Sequence, residues 1–340
     1  MNKKTKFRDI VENTDRFLVC VELETTRGLA MDEKGESAKL LANRLSELEQ
    51  VDLICVTDNP GGNPHIRPEI LGQDLLSKGT EVVVGVSCKD YNRNGIESRL
   101  WALGSTGFEN ILALSGDYPV SGFHGQSQPV FDIDSVGLLE MIKRMNEGIS
   151  KDPFTGFETI GTDFYPGCAV NPFKLLEGEL ITQYLKLEMK VKTGAKWAIS
   201  QIGYDTRKLD ELLRFIRENN FEVPLIGSVF ILNAPAAAFF NRWGIPGVAV
   251  SDSLLNMVKK HAESSDRGRS FFSEFAAKQM AILRGLGYRG VYMSGRPKFE
   301  RMREILKIEA SFAADDRKQF ASEINFSQPG EFYFYEESVI

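Results

Sequence analysis

Short apolar runs of β type alternate with longer runs of helical spacing along most of this chain. The first strand is expected over Phe17 to Leu23, followed by a helix near Ser37 to Leu48, where Leu40, Leu41, Leu45 and Leu48 share one face. The pattern predicts further strands at Leu53 to Thr57, Glu81 to Ser87, Asn110 to Ser115, Glu158 to Tyr165, Lys196 to Ile202, Pro224 to Leu232 and Gly290 to Met293. Helices are expected between them near Arg67 to Leu76, Gly95 to Leu103, Ser135 to Met145, Glu177 to Thr193, Leu209 to Arg217 and Phe271 to Leu286, with a last one at Lys298 to Ile308. Gly194 follows the Glu177 to Thr193 helix as a C-terminal stop.

Eight strand–helix units in 340 residues fit a (β/α)8 TIM barrel with extra helices. A doubly wound open sheet shares the alternation and is the competing architecture. No Gly-rich phosphate loop follows a strand, which removes the sharpest sign of a Rossmann or P-loop site. Residues 1–309 read as the barrel and 310–340 as a C-terminal extension packed on it or at a subunit contact. That extension carries Glu331-Phe332-Tyr333-Phe334-Tyr335, four aromatics in a row that need cover.

The formal net charge of -6 argues against a nucleic-acid partner, which needs a basic face. No run approaches the roughly 20 apolar residues of a membrane span, and the N-terminus lacks the apolar stretch of a signal peptide. A cytoplasmic protein is expected. Cys20, Cys55, Cys88 and Cys168 form no CxxC pair, and His65, His124 and His261 are scattered. Buried free thiols and no metal site are the reading.

In a parallel barrel the C-terminal strand ends meet at one mouth, so polar residues there are candidates for chemistry. Glu22 and Glu24 alternate with apolar neighbours and share a strand face. Either is a general acid in the making or half of an ion pair, with Arg27 near enough in sequence to serve Glu24. Asp117 follows Gly116 at the end of the fourth strand, as a ligand group or as an ordinary turn residue. Gln201 interrupts an apolar run and needs amide partners from backbone or ligand. Tyr165, placed at the end of the fifth strand, either stacks on a ring or closes the core.

Taken together these segments resemble the methylenetetrahydrofolate reductase family, flavin-dependent barrel enzymes of one-carbon metabolism. Asn-Ile-Leu-Ala-Leu-Ser-Gly-Asp-Tyr-Pro, ending at Pro119, is similar to the family's aliphatic-Ala-Leu-Arg-Gly-Asp-x-Pro. Lys190 to Gln201 resembles its Lys-x-x-x-Gly-Ala-x-x-x-Ile-Thr-Gln, and Tyr165-Pro166 its Tyr-Pro. The resemblance runs from about Phe17 to Met293 and marks a divergent member: Ser115 stands at the family's Arg, Gly85 at a His, and Asn171 near another His.

The resemblance implies reduction of 5,10-methylenetetrahydrofolate to 5-methyltetrahydrofolate, on the path to methionine. Glu22 would be the general acid, and Asp117 would sit by flavin and folate. Gln201 would bind the pterin, with Phe230 beside it. Thr57, Ser87, Tyr165 and Lys190 would line an FAD site. The reductant would be NAD(P)H or an electron-transfer protein, and the chain a homo-oligomer or a subunit of a complex. The alternatives are a folate-binding methyl-transfer partner of a corrinoid protein and a non-catalytic subunit of a larger oxidoreductase.

Overall fold

Eight parallel strands close into a barrel in sequence order, the first pairing with both the second and the eighth. The computed structural model describes residues 5–120, 125–148, 156–242 and 247–336; His124 lies outside them. The strands are β1 (Leu18–Leu23), β2 (Leu53–Val56), β3 (Glu81–Ser87), β4 (Asn110–Leu114), β5 (Tyr165–Val170), β6 (Trp197–Ser200), β7 (Leu225–Phe230) and β8 (Gly290–Ser294). The outer helices are α2 (Glu33–Ser46), α3 (Pro68–Ser77), α4 (Arg93–Ser105), α5 (Ser135–Glu147), α6 (Glu177–Thr193), α7 (Thr206–Glu218), α10 (Arg269–Leu286) and α11 (Phe299–Glu309). Short helices α1 (Phe7–Asn13), α8 (Ala234–Arg242), α9 (Asp252–Ala262) and α12 (Asp316–Glu323) complete the set.

Every strand is covered on both faces, so the runs are apolar throughout rather than alternating. Val82, Val84 and Val86 of β3 point outward and pack under the helices, each fully buried. Burying a side chain of that size contributes about 1.5–3 kcal/mol. Residues of the other parity fill the interior: Cys20, Cys55, Val83, Leu112, Ile199, Ile226 and Tyr292 form one cluster with Phe7, Ile10 and Val11 of α1. Helix α1 therefore plugs the N-terminal end of the barrel. There Phe7 meets Tyr165 and Trp197 edge to face, at centroid distances of 5.8 and 5.2 Å. Gly167 makes room for that indole, since a Cβ on it would lie 2.3 Å from the Trp197 ring.

One strand departs from expectation. The fifth lies at Tyr165–Val170, not at Glu158 to Tyr165. The β-branched stretch before it carries no ladder, whereas Tyr165 to Cys168 pair with β4. The sequence Tyr-Pro-Gly-Cys reads as a turn, yet the Pro166 carbonyl still accepts from Lys196 N–H and supports the barrel.

After α11, helix α12 packs on α10, and the chain beyond it lies against α7. Tyr333 donates to Asp205 at 2.6 Å, and the Phe334 and Tyr335 backbone N–H groups donate to the buried Glu211. Phe334 packs on Tyr184 and Phe215. Lys208, fully buried, donates to the Phe332 carbonyl. Among the described residues no helix is long and apolar enough to cross a membrane.

Candidate active site at the barrel mouth

A cavity of about 520 Å³ opens between the C-terminal ends of the strands. Its floor is built from the uppermost inward residues, among them Glu22, Cys55, Gly85, Leu112, Ile199, Ser228 and Tyr292. Its rim comes from the loops after β2, β4, β5 and β6. Glu22 and Pro60 also border a second depression of about 700 Å³, lined by Glu24, Arg27, Lys34, His65 and Arg296.

Glu22 is the half-buried carboxyl in the wall between the two spaces. Tyr292 Oη donates to its Oε2 at 2.8 Å. Removal from water pushes its pKa up to about 7. The Tyr292 hydroxyl and the Gly295 N–H oppose that rise, and the Glu24 charge adds to it. Glu24, on the same strand face, is occupied: Arg296 holds it through two hydrogen bonds of 2.5 and 2.8 Å. Arg27, the partner suggested by sequence proximity, turns to Asn63 instead. The two carboxyls of one strand thus acquire different states. One is paired with Arg296; the other has no cation within ion-pairing distance among the described residues and is able to hold a proton near neutrality.

Asp117 sits above the end of β4. Gly116 before it has φ 88°, and a Cβ there would meet the Lys89 side chain at 2.9 Å. The Asp117 carboxylate accepts from Gly61 N–H at 3.0 Å, and Val120 N–H donates to the Gly62 carbonyl. The loops after β2 and β4 are thereby tied together. Beneath them Asp58 accepts from Ser87 N–H and from Arg99, both at 2.8 Å. Arg99 also reaches Glu69 at 3.1 Å.

The flank formed by α6 is cationic. Lys190 is buried and its Nζ donates to the Ala169 carbonyl at 2.6 Å. Burial holds its pKa below the usual lysine value. Among the described residues no carboxylate lies within ion-pairing distance of it, whereas Lys186, one turn earlier, pairs with Asp134 at 2.8 Å. Gln201 uses its side-chain oxygen on Ile202 N–H at 2.9 Å. Its amino group is the remaining polar end. Asn171 spends its amide on the Gly247 carbonyl and on Phe173 N–H.

The mouth thus gathers Glu22, Thr57, Ser87, Asp117, Lys190 and Gln201 from six separate segments. Tyr165 does not join them. It opens β5 rather than ending it, so it lies at the plugged end against Phe7 and Trp197 and takes the core-closing alternative. The strand residues that reach the cavity from β5 are Ala169 and Val170, followed by Asn171. Phe230 ends β7 two residues above the cavity-lining Ser228, half-buried with its ring across Phe240 at 5.1 Å. A Cβ on Gly295 would meet that ring at 3.2 Å, which puts Phe230 at the rim between β7 and β8. Leu232 is buried in a separate cluster with Tyr204 and Phe240.

Sequence reasoning passed over Asp58, Arg99, Lys186 and Tyr292, whereas Asn171 entered it only as a departure from the family's His. Arg99 carried a signal, since it occupies the buried stripe Ile96, Leu100, Leu103 of α4. A cation on such a stripe needs a buried partner. All four cysteines are buried and free. Among the described residues no group of three or more His, Cys, Asp or Glu side chains is placed to hold a metal ion.

Comparison with known proteins bears on this site. The family model for methylenetetrahydrofolate reductase matches residues 8–307. Methylenetetrahydrofolate reductase 2 of Saccharomyces cerevisiae is 27% identical over 207 residues, which is 59% of this chain and 32% of that protein. The chain therefore spans about a third of the length of the curated relative it matches. Among solved structures, an uncharacterized protein from Clostridium thermocellum that binds two copies of 5-methyl-5,6,7,8-tetrahydrofolic acid superposes with a TM-score of 0.61. It is 14% identical, with 89% of this chain and 98% of that chain covered. An aldo-keto reductase from Bacillus halodurans superposes at 0.50 with 15% identity over 95% of each chain. The two structural likenesses establish the barrel, and the family model, matched over nearly the whole chain, establishes the lineage: this protein belongs to the methylenetetrahydrofolate reductase family.

Proposed function

We propose that this protein reduces 5,10-methylenetetrahydrofolate to 5-methyltetrahydrofolate at the barrel mouth, with FAD as its bound cofactor. The observation that carries the reading is Glu22: a carboxyl facing the cavity, with no cation in ion-pairing distance among the described residues and a pKa pushed up to about 7. Ring opening of the substrate needs a proton donor of that strength at neutral pH. The family match and the methyltetrahydrofolate bound by the Clostridium thermocellum relative support folate as the substrate class.

The residues fit FAD. The cavity combines an apolar floor at Leu112, Ala113 and Ile199 with hydroxyl, amide and carboxylate groups at strand ends and two lysines on one flank. That set suits a flat ring with polar edges that carries phosphates. Thr57, Ser87 and Asp117 would hold the ring, and Lys190 the phosphates. When bound, reduced flavin supplies the hydride, which the protein's own side chains cannot.

The chain's own groups do the rest. Glu22 protonates the substrate ring nitrogen, whose bond to the one-carbon unit opens as its electron pair returns to nitrogen. The fixed anion of Asp117 favours the cationic iminium so formed. Gln201 offers its amino group to the pterin, and Phe230 at the rim gives it an apolar face. The reductant is NAD(P)H or a protein electron donor. We take residues 1–309 as the catalytic barrel and 310–340 as an extension that braces α7.

Anaerobic titration with 5-methyltetrahydrofolate tests this. The purified protein, loaded with FAD, should bleach in the flavin bands as the folate is oxidised. Absence of any flavin uptake, or bound flavin unchanged by excess folate, would overturn the reading.

A further inference from the structure

Tyr292 hydrogen-bonds Glu22 from below, alone among the side chains of the described residues, and its placement follows from the barrel register. Tyr292 of β8 stands opposite Cys20 of β1. Glu22 is two residues further along the same inward face, about 6.6 Å nearer the mouth at 3.3 Å per residue. A phenol spans that interval, and Tyr292 Oη reaches Glu22 Oε2 at 2.8 Å while both side chains line the cavity.

We propose that Tyr292 is a positioning residue for Glu22, holding Oε2 as the acceptor and so leaving the acid proton on Oε1. The role rests on the reading of Glu22 as the proton donor to folate. In a neutral carboxyl group the carbonyl oxygen is the better acceptor. The oxygen that accepts from Tyr292 is therefore the carbonyl, and the other carries the proton. The direction of the bond is fixed, because the buried phenol stays protonated: burial, then the neighbouring Cys55, Glu22 and Cys20, push its pKa well above the ordinary value. When Glu22 gives up its proton, the Oε1–H bond breaks, an N–H bond forms on the substrate, and the carboxylate left behind keeps the Tyr292 and Gly295 donors. Without them a carboxyl this deep would hold its proton too tightly to be useful.

The groups facing Glu22 are few. Glu24 lies on its own strand, Cys55 is its partner on β2, Tyr292 comes from β8, and Arg296 follows β8 and is committed to Glu24. Cys20 lies one layer below. Tyr292 is the only hydroxyl in that set.

The test is infrared titration of the Glu22 carboxyl band, isolated as the difference between the protein and its Glu22→Gln variant, without folate. Tyr292→Phe should raise the midpoint by about 1–2 pH units, the size of one hydrogen bond to a charged group. The alkaline fall of folate reduction should move up with it, and reduction of flavin by its donor should not change. An unmoved midpoint in a folded Tyr292→Phe protein overturns the proposal. Should that variant fail to fold, Tyr292→3-fluorotyrosine keeps the shape and makes a stronger donor. It must lower the midpoint, and an unmoved midpoint overturns the proposal equally. A shifted midpoint in a protein that does not reduce folate would uphold the Tyr292–Glu22 pairing and sink the assigned reaction.

Discussion

Arg99 on α4 and Asp58 at the end of β2 form an ion pair at 2.8 Å with side chains 1% and 3% exposed. Asp58 lines the cavity and also anchors Ser87 N–H, with Arg99 behind it. The pair fixes the turn whose Gly61 N–H holds Asp117. Arg99→Met leaves Asp58 buried without its cation, which costs about 3–5 kcal/mol. Urea unfolding should show that loss. Asp58→Asn combined with Arg99→Met should recover part of it, because no uncompensated charge remains. Equal losses in the single and double variants would mean that packing, not charge, governs the site.

Glu22 links stability to pH with a definite sign. Its folded pKa of about 7 lies above the ordinary carboxyl value of 4.5. The native state thus binds the proton more tightly than the unfolded chain. The stabilisation is complete below the unfolded value and is lost as pH rises through about 7. Relative to Glu22→Gln, the wild-type protein should lose on the order of 2–3 kcal/mol between pH 5 and 8. Parallel stability curves for the two proteins across that range would show that Glu22 titrates normally. In catalysis the same variant should slow folate reduction about 10²–10⁴-fold and spare flavin reduction by the donor.

Glu24→Gln makes the opposite test. It removes the negative charge that raises Glu22 and frees Arg296, whose charge lowers it. The Glu22 midpoint should fall, so folate reduction should decline at lower pH than in the wild-type protein. A pH–rate profile of the folate half-reaction reads this directly. Folate reduction slowed about 10²–10⁴-fold at every pH instead would mean that Glu24, not Glu22, is the acid.

Lys190 is buried with no carboxylate partner among the described residues, a poor arrangement for stability alone. Lys190→Met should leave the melting temperature unchanged or raise it. Loss of one charge-assisted contact to phosphate should weaken FAD binding about 10–100-fold. Fluorescence titration with FAD, and with riboflavin as a ligand lacking phosphates, separates the two effects. Equal weakening for both ligands would remove Lys190 from the phosphates.

The barrel was legible because each strand–helix unit carries its own period, and seven of the eight strands fall where the apolar runs predict them. The mouth was legible for the same reason: a polar residue closing an apolar run, as in Glu22 or Gln201, must lie at a strand end. Helix α1 was not, since a two-turn plug has no periodicity to speak of. The Asp58–Arg99 pair and the Tyr292–Glu22 contact join residues 41 and 270 positions apart. Such pairings depend on register, which no local pattern encodes. The fifth strand failed on local chemistry. Tyr-Pro-Gly looks like a stop, and only the ladder to β4 makes it a beginning.

That reversal yields a last prediction, at Tyr165. If Tyr165 lined the flavin site, its removal would release the cofactor. In the structure its ring packs edge to face on Phe7 at the plugged end, and β5 reaches the cavity only at Ala169 and beyond. Tyr165→Ala should therefore cost about 3–5 kcal/mol of stability, as for other buried aromatic truncations. The folded fraction should keep wild-type affinity for FAD. Phe7→Ala should behave in the same way, and the two losses should fall short of additive because each variant empties the same contact. Flavin affinity lowered tenfold by Tyr165→Ala, with Phe7→Ala leaving it intact, would return Tyr165 to the cofactor site and place the start of β5 at the mouth.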